Sequence, residues 1–332
     1  MKNLRINSNY IPLLITICLF CALFTIGSLV YRGFFSLQVI LNLLVDNSFL
    51  IIVALGETII IIMGGIDLSV GALIALSTMI VAYSLTNLHL PPAAAIAAVL
   101  VFTSIFGFLQ GWLITYRKFQ PFIATLCGMF IARGLSFMIN QDTIPIQDPF
   151  FITMATTRIH LMEGVAISTS VVIAMMVLAC YIYMAHFTKF GRTIYAIGGN
   201  EQSARLMGLP VDRTKVLAYT LSGFTSGVGG IVFCFYMLSA FGLHAVALEM
   251  DAIAAAVIGG TLMTGGVGMV IGTVFGVLIE GIVQTIITFQ GTLNSWWTRI
   301  AVAFLLLTFI VVQRMLVLRR EGKKKIRPVE FI

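Results

Sequence analysis

Charge is what this 332-residue chain has least of: Asp, Glu, Lys and Arg together make up 10% of it, against about 25% in ordinary soluble domains. The apolar set AVILMFWYC makes up 59%, and the mean hydropathy is +1.04. A soluble globule of this size could not hide so much apolar surface, and the same figures exclude a disordered chain. Lipid is therefore the solvent for most of the chain. Histidine is also scarce: His89, His160, His186 and His244 fall in or beside loops without helical metal-pair spacing, so no metal site is expected. The five cysteines, Cys18, Cys21, Cys127, Cys180 and Cys234, lie in apolar runs. No second pair or histidine cluster accompanies Cys18-x-x-Cys21, so all five read as small apolar fillers. There is no G-x-x-x-x-G-K-S/T phosphate loop, no H-E-x-x-H and no G-x-S-x-G. Catalytic residues and a bound cofactor are accordingly not expected.

What the chain does have is long uncharged runs, at 6–31, 68–116, 164–188, 216–248, 252–279 and 281–298. A helix of about 20 residues crosses the hydrocarbon layer, so several of these runs span once and some twice. The run 68–116 is broken by Asn87-Leu88-His89-Leu90-Pro91-Pro92, a turn between two helices. A membrane β-barrel needs short alternating strands, and these runs are continuous. The expectation is an all-α integral membrane protein, a single transmembrane domain over 1–332. Its ten spans fall at roughly 11–30, 42–63, 68–87, 92–114, 121–140, 166–186, 216–240, 250–263, 267–289 and 297–316. The first span is too long for a cleaved signal peptide and no A-x-A site follows it.

The net charge of +7 raises nucleic acid as a partner, but its placement argues for a membrane. Seven of the 20 basic residues follow residue 313, and five more, Lys189, Arg192, Arg205, Arg213 and Lys215, share the loop 187–215. Cytoplasmic loops of membrane proteins are charged in this way. With ten spans, both termini, the loop 187–215 and the tail 314–332 are expected on the cytoplasmic side, together with Arg117 and Lys118. The loop 141–165 is expected outside. The basic tail suits anionic lipid better than RNA.

Two stretches look like breaks within spans: Met63-Gly64-Gly65-Ile66-Asp67-Leu68-Ser69-Val70-Gly71 and Ile258-Gly259-Gly260-Thr261-Leu262-Met263-Thr264-Gly265-Gly266-Val267-Gly268. Each joins two apolar arms at a Gly-Gly pair, which hints at an internal pseudo-repeat. Asp67 and Ser69 either cap the helix that follows or form a polar lining of a pathway or gate. Glu57 and Glu280 stand inside apolar runs and Asp46 near the start of one. Carboxylates there must face protein, water or a partner, and Arg133 and Arg299 are their possible counter-charges. For Glu57 the alternatives are a helix-packing hydrogen bond and a hydroxyl-accepting or proton site. Asn42, Asn47 and Gln284 are further candidate liners because they are polar within apolar runs. In the loop 187–215, Gly198-Gly199 reads as a turn, Asn200 as the cap of one short helix with Glu201 in its first turn, and Gly208 and Pro210 as its end. Ala204, Leu206 and Met207 give that helix an apolar face, read as a knob that docks into another protein.

Gly64 through Gly71 resembles a segment of the permease subunits of bacterial ribose-type sugar ABC importers. Tyr195-Ala196-Ile197-Gly198-Gly199-Asn200 with Ala204-Arg205-Leu206-Met207-Gly208 resembles the family's cytoplasmic loop. Asp251-Ala252-Ile253-Ala254 with Gly259-Gly260-Thr261 and Gly265-Gly266-Val267-Gly268 resembles its late signature. A finer similarity, to permeases of galactofuranose importers, is carried by Ser136, Ile144-Pro145-Ile146 and Gly291-Thr292-Leu293-Asn294-Ser295-Trp296-Trp297-Thr298-Arg299-Ile300-Ala301. Glu57 departs from the family pattern, which is uncharged there. The resemblance implies a ten-helix permease of the bacterial inner membrane that hydrolyses nothing itself. It implies a second permease subunit, with a heterodimer favoured, and a periplasmic sugar-binding protein outside. A separate ATPase that uses ATP would dock on Gly198, Gly199, Asn200, Ala204, Arg205, Leu206 and Met207. The alternative is an ion-coupled secondary transporter with Glu57 and Asp67 as coupling acids.

Overall fold

A computed structural model describes residues 11–162, 165–291 and 296–325. Lys2, Arg5, Glu163, the motif residues 292–295 and the end of the basic tail lie outside them. In chain order the elements are α1 (Ile11–Val30), α2 (Leu37–Asp46), α3 (Ser48–Ile62), α4 (Val70–Thr86), α5 (Pro92–Tyr116), α6 (Pro121–Ile139), β1 (Ile144–Pro145), α7 (Pro149–Thr156), β2 (Arg158–Met162), β3 (Val165–Ser168), α8 (Thr169–Phe187), α9 (Lys189–Gly199), α10 (Glu201–Leu206), α11 (Val211–Met237), β4 (Ser239–Ala240), α12 (Leu248–Ile258), α13 (Val270–Gln290) and α14 (Trp296–Lys325).

Helix occupies each of the ten intervals expected to span. Among the described residues, six helices (α1, α5, α6, α8, α11 and α13) are long and apolar enough to cross a membrane alone. α2 and α3 are long and apolar enough only when taken together, as a broken span or a re-entrant pair, and are bent by 62° against each other. The bend falls within the span expected over 42–63. The cause is local: Asn47 sits between the two helices, and its side-chain amide donates to the Leu43 carbonyl at 2.9 Å. A short polar side chain that bonds its own backbone competes with the helical ladder. α4 and the apolar part of α14 are shorter, and α12 has 11 residues.

The centre of the bundle is α3, α4 and α12, buried on nearly every side, with α11, which buries most of its residues against them. Lipid offers no hydrophobic drive between helices, so close packing has to hold them, and small residues permit it. α5 brings Gly107 and Gly111 onto α11 at Tyr219 and Gly223, where an added Cβ would overlap backbone.

Loops gather at two ends. At one, β1 pairs with β4, joining the segment after α6 to the segment after α11, and Tyr31 donates to Gln290 at 2.8 Å. Arg133 donates to the carbonyls of Gly242, His244 and Ala245. In the segment 141–165, Asp148 caps α7 by accepting from the Phe150 amide at 2.9 Å, and β2 pairs with β3. At the other end lie the two glycine breaks and the segment 187–210. That segment holds two helices, α9 and α10, where one was expected. Gly198 and Gly199 form the last turn of α9 and not a free turn.

Candidate functional site

The two breaks have the same backbone solution. After α3, the Gly64 amide bonds to the Ile61 carbonyl and the Gly65 amide to the Ile60 carbonyl, both at 2.9 Å, with Gly64 at φ +85°. After α12, the Gly260 amide bonds to Val257 at 2.9 Å and Thr261 to Ala256 at 3.0 Å, with Gly260 at φ +96°. Each is the paired C-terminal lock that requires a left-handed residue, which glycine supplies without strain. The breaks then touch. The Gly266 amide donates to the Ile62 carbonyl at 2.8 Å, satisfying an acceptor that the end of α3 leaves free. α9 closes the junction from the side: Tyr195 donates its hydroxyl to the Gly268 carbonyl at 2.9 Å. A Cβ on Gly198 would overlap both the Ile62 carbonyl and the Gly266 amide, whereas a Cβ on Gly199 meets nothing within 4 Å. Three segments far apart in sequence thus converge on one glycine-lined contact.

α10 hangs from this junction. Asn200 caps it by accepting from the Ser203 amide at 2.8 Å, as the sequence predicts. Ala204 is buried, but Leu206 and Met207 are 89% and 66% exposed, so the expected apolar face divides into one inward and two outward residues. Arg205 bridges Glu201 at 3.1 Å and also Asp212, and Lys215 reaches Glu201 at 2.6 Å. Burial pushes the Glu201 carboxyl up, but the hydrogen bonds from Lys215 and Arg205 outweigh it and hold the group below its ordinary value. A lowered carboxylate stabilises the fold above its ordinary range, and that contribution fades as pH falls through the lowered value. Hydrogen-exchange protection factors across 200–215, each taken relative to the intrinsic rate at the same pH, should therefore fall as pH drops through the carboxylate range. Unchanged protection factors would show that the clamp contributes nothing. The groups are partly exposed, so the effect is small.

Glu57, Asp67 and Ser69 form one buried cluster behind the first break, and all three are inaccessible to solvent. Glu57 Oε1 accepts from the Asp67 amide at 3.1 Å. Asp67 Oδ1 accepts from the Ser69 amide at 3.0 Å and the Ser69 hydroxyl at 2.6 Å, and Oδ2 accepts from the Ser222 hydroxyl at 2.7 Å. The Gln110 amide lies 3.2 Å from the Ser69 hydroxyl. Ser69 stands at the N-cap of α4 but makes no side-chain cap bond there. Ser69 is therefore not the cap expected: it bonds Asp67 and Gln110, while Asp67 accepts the Ser69 amide ahead of α4 and ties it to Ser222 on α11. Neither Arg133 nor Arg299 pairs with Glu57 or Asp67 among the described residues, since both arginines donate to loop carbonyls at the opposite end. Sequence reasoning missed Ser222, Gln110 and Tyr219 here. Leaving a buried amide unpaired costs about 1–3 kcal/mol. Glu57→Ala should therefore lower the thermal unfolding midpoint of the detergent-solubilised chain, while Glu57→Gln, which keeps an acceptor oxygen, should stay near wild type. Equal midpoints for Glu57→Ala and wild type would contradict the anchoring role.

Asn42, Asn47 and Gln284 come together elsewhere, on the wall of a cavity of about 480 Å³ toward the β1–β4 end. The bend at Asn47 opens it between α2, α3 and α13. Gly281 allows the approach, because a Cβ there would press on the Asn47 amide. Asp46 and Asp251 share the wall.

The family model of branched-chain amino acid transport system permease components matches residues 39–312. The inner membrane ABC transporter permease protein YjfF of Escherichia coli (strain K12) is 43% identical over 314 residues, covering 95% of each chain. The fructose import permease protein FruG of Bifidobacterium longum (strain NCC 2705) is 36% identical over 330 residues, covering 98% of this chain and 96% of that one. The ribose import permease protein RbsC of Haemophilus influenzae is 35% identical over 310 residues, covering 92% of each. No solved structure matches the chain.

Proposed function

This chain belongs to the family of branched-chain amino acid transport system permease components, and from that premise we propose that it forms the membrane pathway of an ABC importer for a monosaccharide. It is a multi-pass membrane protein, as the family and its long apolar helices require. The family description speaks of amino acids. Two of the relatives matched over nine tenths of their length are named for fructose and ribose, and this supports sugar as the cargo. A galactofuranose-like substrate is the finer reading, carried by the resemblance at 136–146 and 291–301.

The observation that carries the mechanism is the three-way glycine junction. α10 presents Leu206 and Met207 outward while α9 grips the tips of both breaks. We read α9 and α10 as the seat of a separate ATPase on the cytoplasmic face, the side that the positive charge pattern favours. Closure of the ATPases shifts α9, and the junction passes that shift to α3 and α12 as a rigid contact. The pathway then changes access by a population shift driven from outside the chain. A binding protein delivers sugar at the opposite face, and a second permease, a different one by the resemblance, completes the pathway. Ten crossings with both termini inside complete the topology.

Uptake in a transport-deficient bacterial host tests this. The host receives this chain together with a candidate ATPase, binding protein and second permease, and is offered radiolabelled ribose, fructose and galactofuranose. We expect accumulation of at least one sugar that disappears when the ATPase is omitted. Accumulation that survives its omission favours the ion-coupled alternative.

A further inference from the structure

Carboxylates are few in this chain, yet Asp46, Asp251 and Glu280 surround two adjoining cavities of about 480 and 230 Å³ that share Asn47, Asp251 and Gln284 on their walls. Small-molecule pockets run from about 300 to 1,000 Å³. The polar residues are spaced for this face: Glu280, Gln284 and Thr288 recur every four residues on α13, as Asn42 and Asp46 do on α2. Such stripes cannot face hydrocarbon. Glu280 is 5% exposed, lines the smaller cavity, and its Oε1 has no hydrogen-bond partner among the described residues. A buried polar atom left open in a polar cavity calls for a partner, which a bound polyol can supply. Among the described residues no cluster could hold a metal ion. Among the described lining residues Arg299 is the one cation, and it donates to the Val246 carbonyl at 3.1 Å.

We propose that the joined cavities are a subsite for a neutral monosaccharide within the permease itself. Asp251 and Glu280 accept sugar hydroxyls, and Asn47 and Gln284 both donate and accept, which suits a ligand whose every hydroxyl does the same. Tyr236 and Phe49 on the larger wall offer ring faces to the sugar's C–H surface. Among the described lining residues three carboxyl groups stand against one guanidinium, so the site matches a neutral polyol better than a uronic acid or a sugar phosphate. The inference rests on the sugar-permease reading above and deepens it: the pathway sorts cargo by charge in addition to any selection by the binding protein.

Saturation-transfer NMR on the full chain in lipid nanodiscs, with millimolar D-galactose, D-ribose or D-galacturonate, tests it. We expect transfer to at least one neutral sugar and none to galacturonate. Asp251→Asn combined with Glu280→Gln should weaken neutral-sugar binding about ten-fold, the loss that goes with a hydrogen bond to a charged acceptor. Gln284→Ala, at an exposed position on the cavity wall, should weaken it in the same direction without risk to the core. The proposal is overturned if neither neutral sugar binds, if galacturonate binds as well as galactose, if Gln284→Ala and the double variant both bind as wild type does, or if sodium displaces the sugar. Should it fail while uptake in the host still needs the ATPase, the subsite falls and the permease reading stands. Uptake that ignores the ATPase would remove the permease reading as well.

Discussion

Gly198→Ala should abolish sugar uptake and destabilise the chain, while Gly199→Ala should leave both close to wild type. The two glycines are adjacent and chemically identical, so composition or helix propensity would predict equal effects. The junction predicts the difference. At Gly198 the added methyl group runs into the Ile62 carbonyl oxygen and the Gly266 amide nitrogen, both backbone atoms that pair with each other at 2.8 Å. No side-chain rotation relieves that overlap. Either α9 lifts away or the bond between the breaks opens, at a cost of about 3 kcal/mol or more. At Gly199 the methyl group enters open space. Uptake and thermal unfolding of the two variants, measured side by side, check this. A tolerated Gly198→Ala would mean that α9 does not grip the breaks.

Leu206→Asp combined with Met207→Asp should prevent capture of the ATPase while the permease itself folds and inserts normally. Both side chains are largely exposed, although their neighbour Ala204 is fully buried. α10 is also rigidly mounted, by the Asn200 cap and by the bridges from Arg205 and Lys215 to Glu201. Exposed apolar residues on a fixed short helix cost the isolated protein little to replace. As buried anchors in a complex they are worth about 2 kcal/mol or more each, so losing both weakens capture by roughly a thousand-fold. Co-purification of the ATPase with each variant reads this directly. Unchanged recovery of the ATPase would place its seat elsewhere.

Much of the architecture was legible in the sequence because lipid imposes a simple rule: a crossing must be long, apolar and helical. The long apolar runs, charge-free or nearly so, therefore located each helix long enough to cross alone, and the Gly-Gly pairs located both breaks. What escaped was set by contacts between distant segments. The bend at Asn47 had a local signal, the polar run Asp46-Asn47-Ser48, but the apolar residues on either side masked it. Asn42, Asn47 and Gln284 were found by polarity alone, and so were Glu57, Asp67 and Ser69. Only the fold divides the six into a cavity wall and a buried staple. Ser222 and Gln110 gave no warning, because a serine or glutamine on a membrane helix bonds its own backbone as readily as a distant carboxylate. Asp251 lay in a motif noted for its glycines, and its place on the cavity wall depends on α12 meeting α13.

The most direct measurement of the central claim uses sealed vesicles containing the chain with its ATPase, second permease and binding protein, compared with vesicles containing the chain alone under an imposed proton or sodium gradient. Sugar should accumulate against its gradient only in the complete assembly and only with ATP. Uphill accumulation by the chain alone, driven by either ion gradient, would contradict the account.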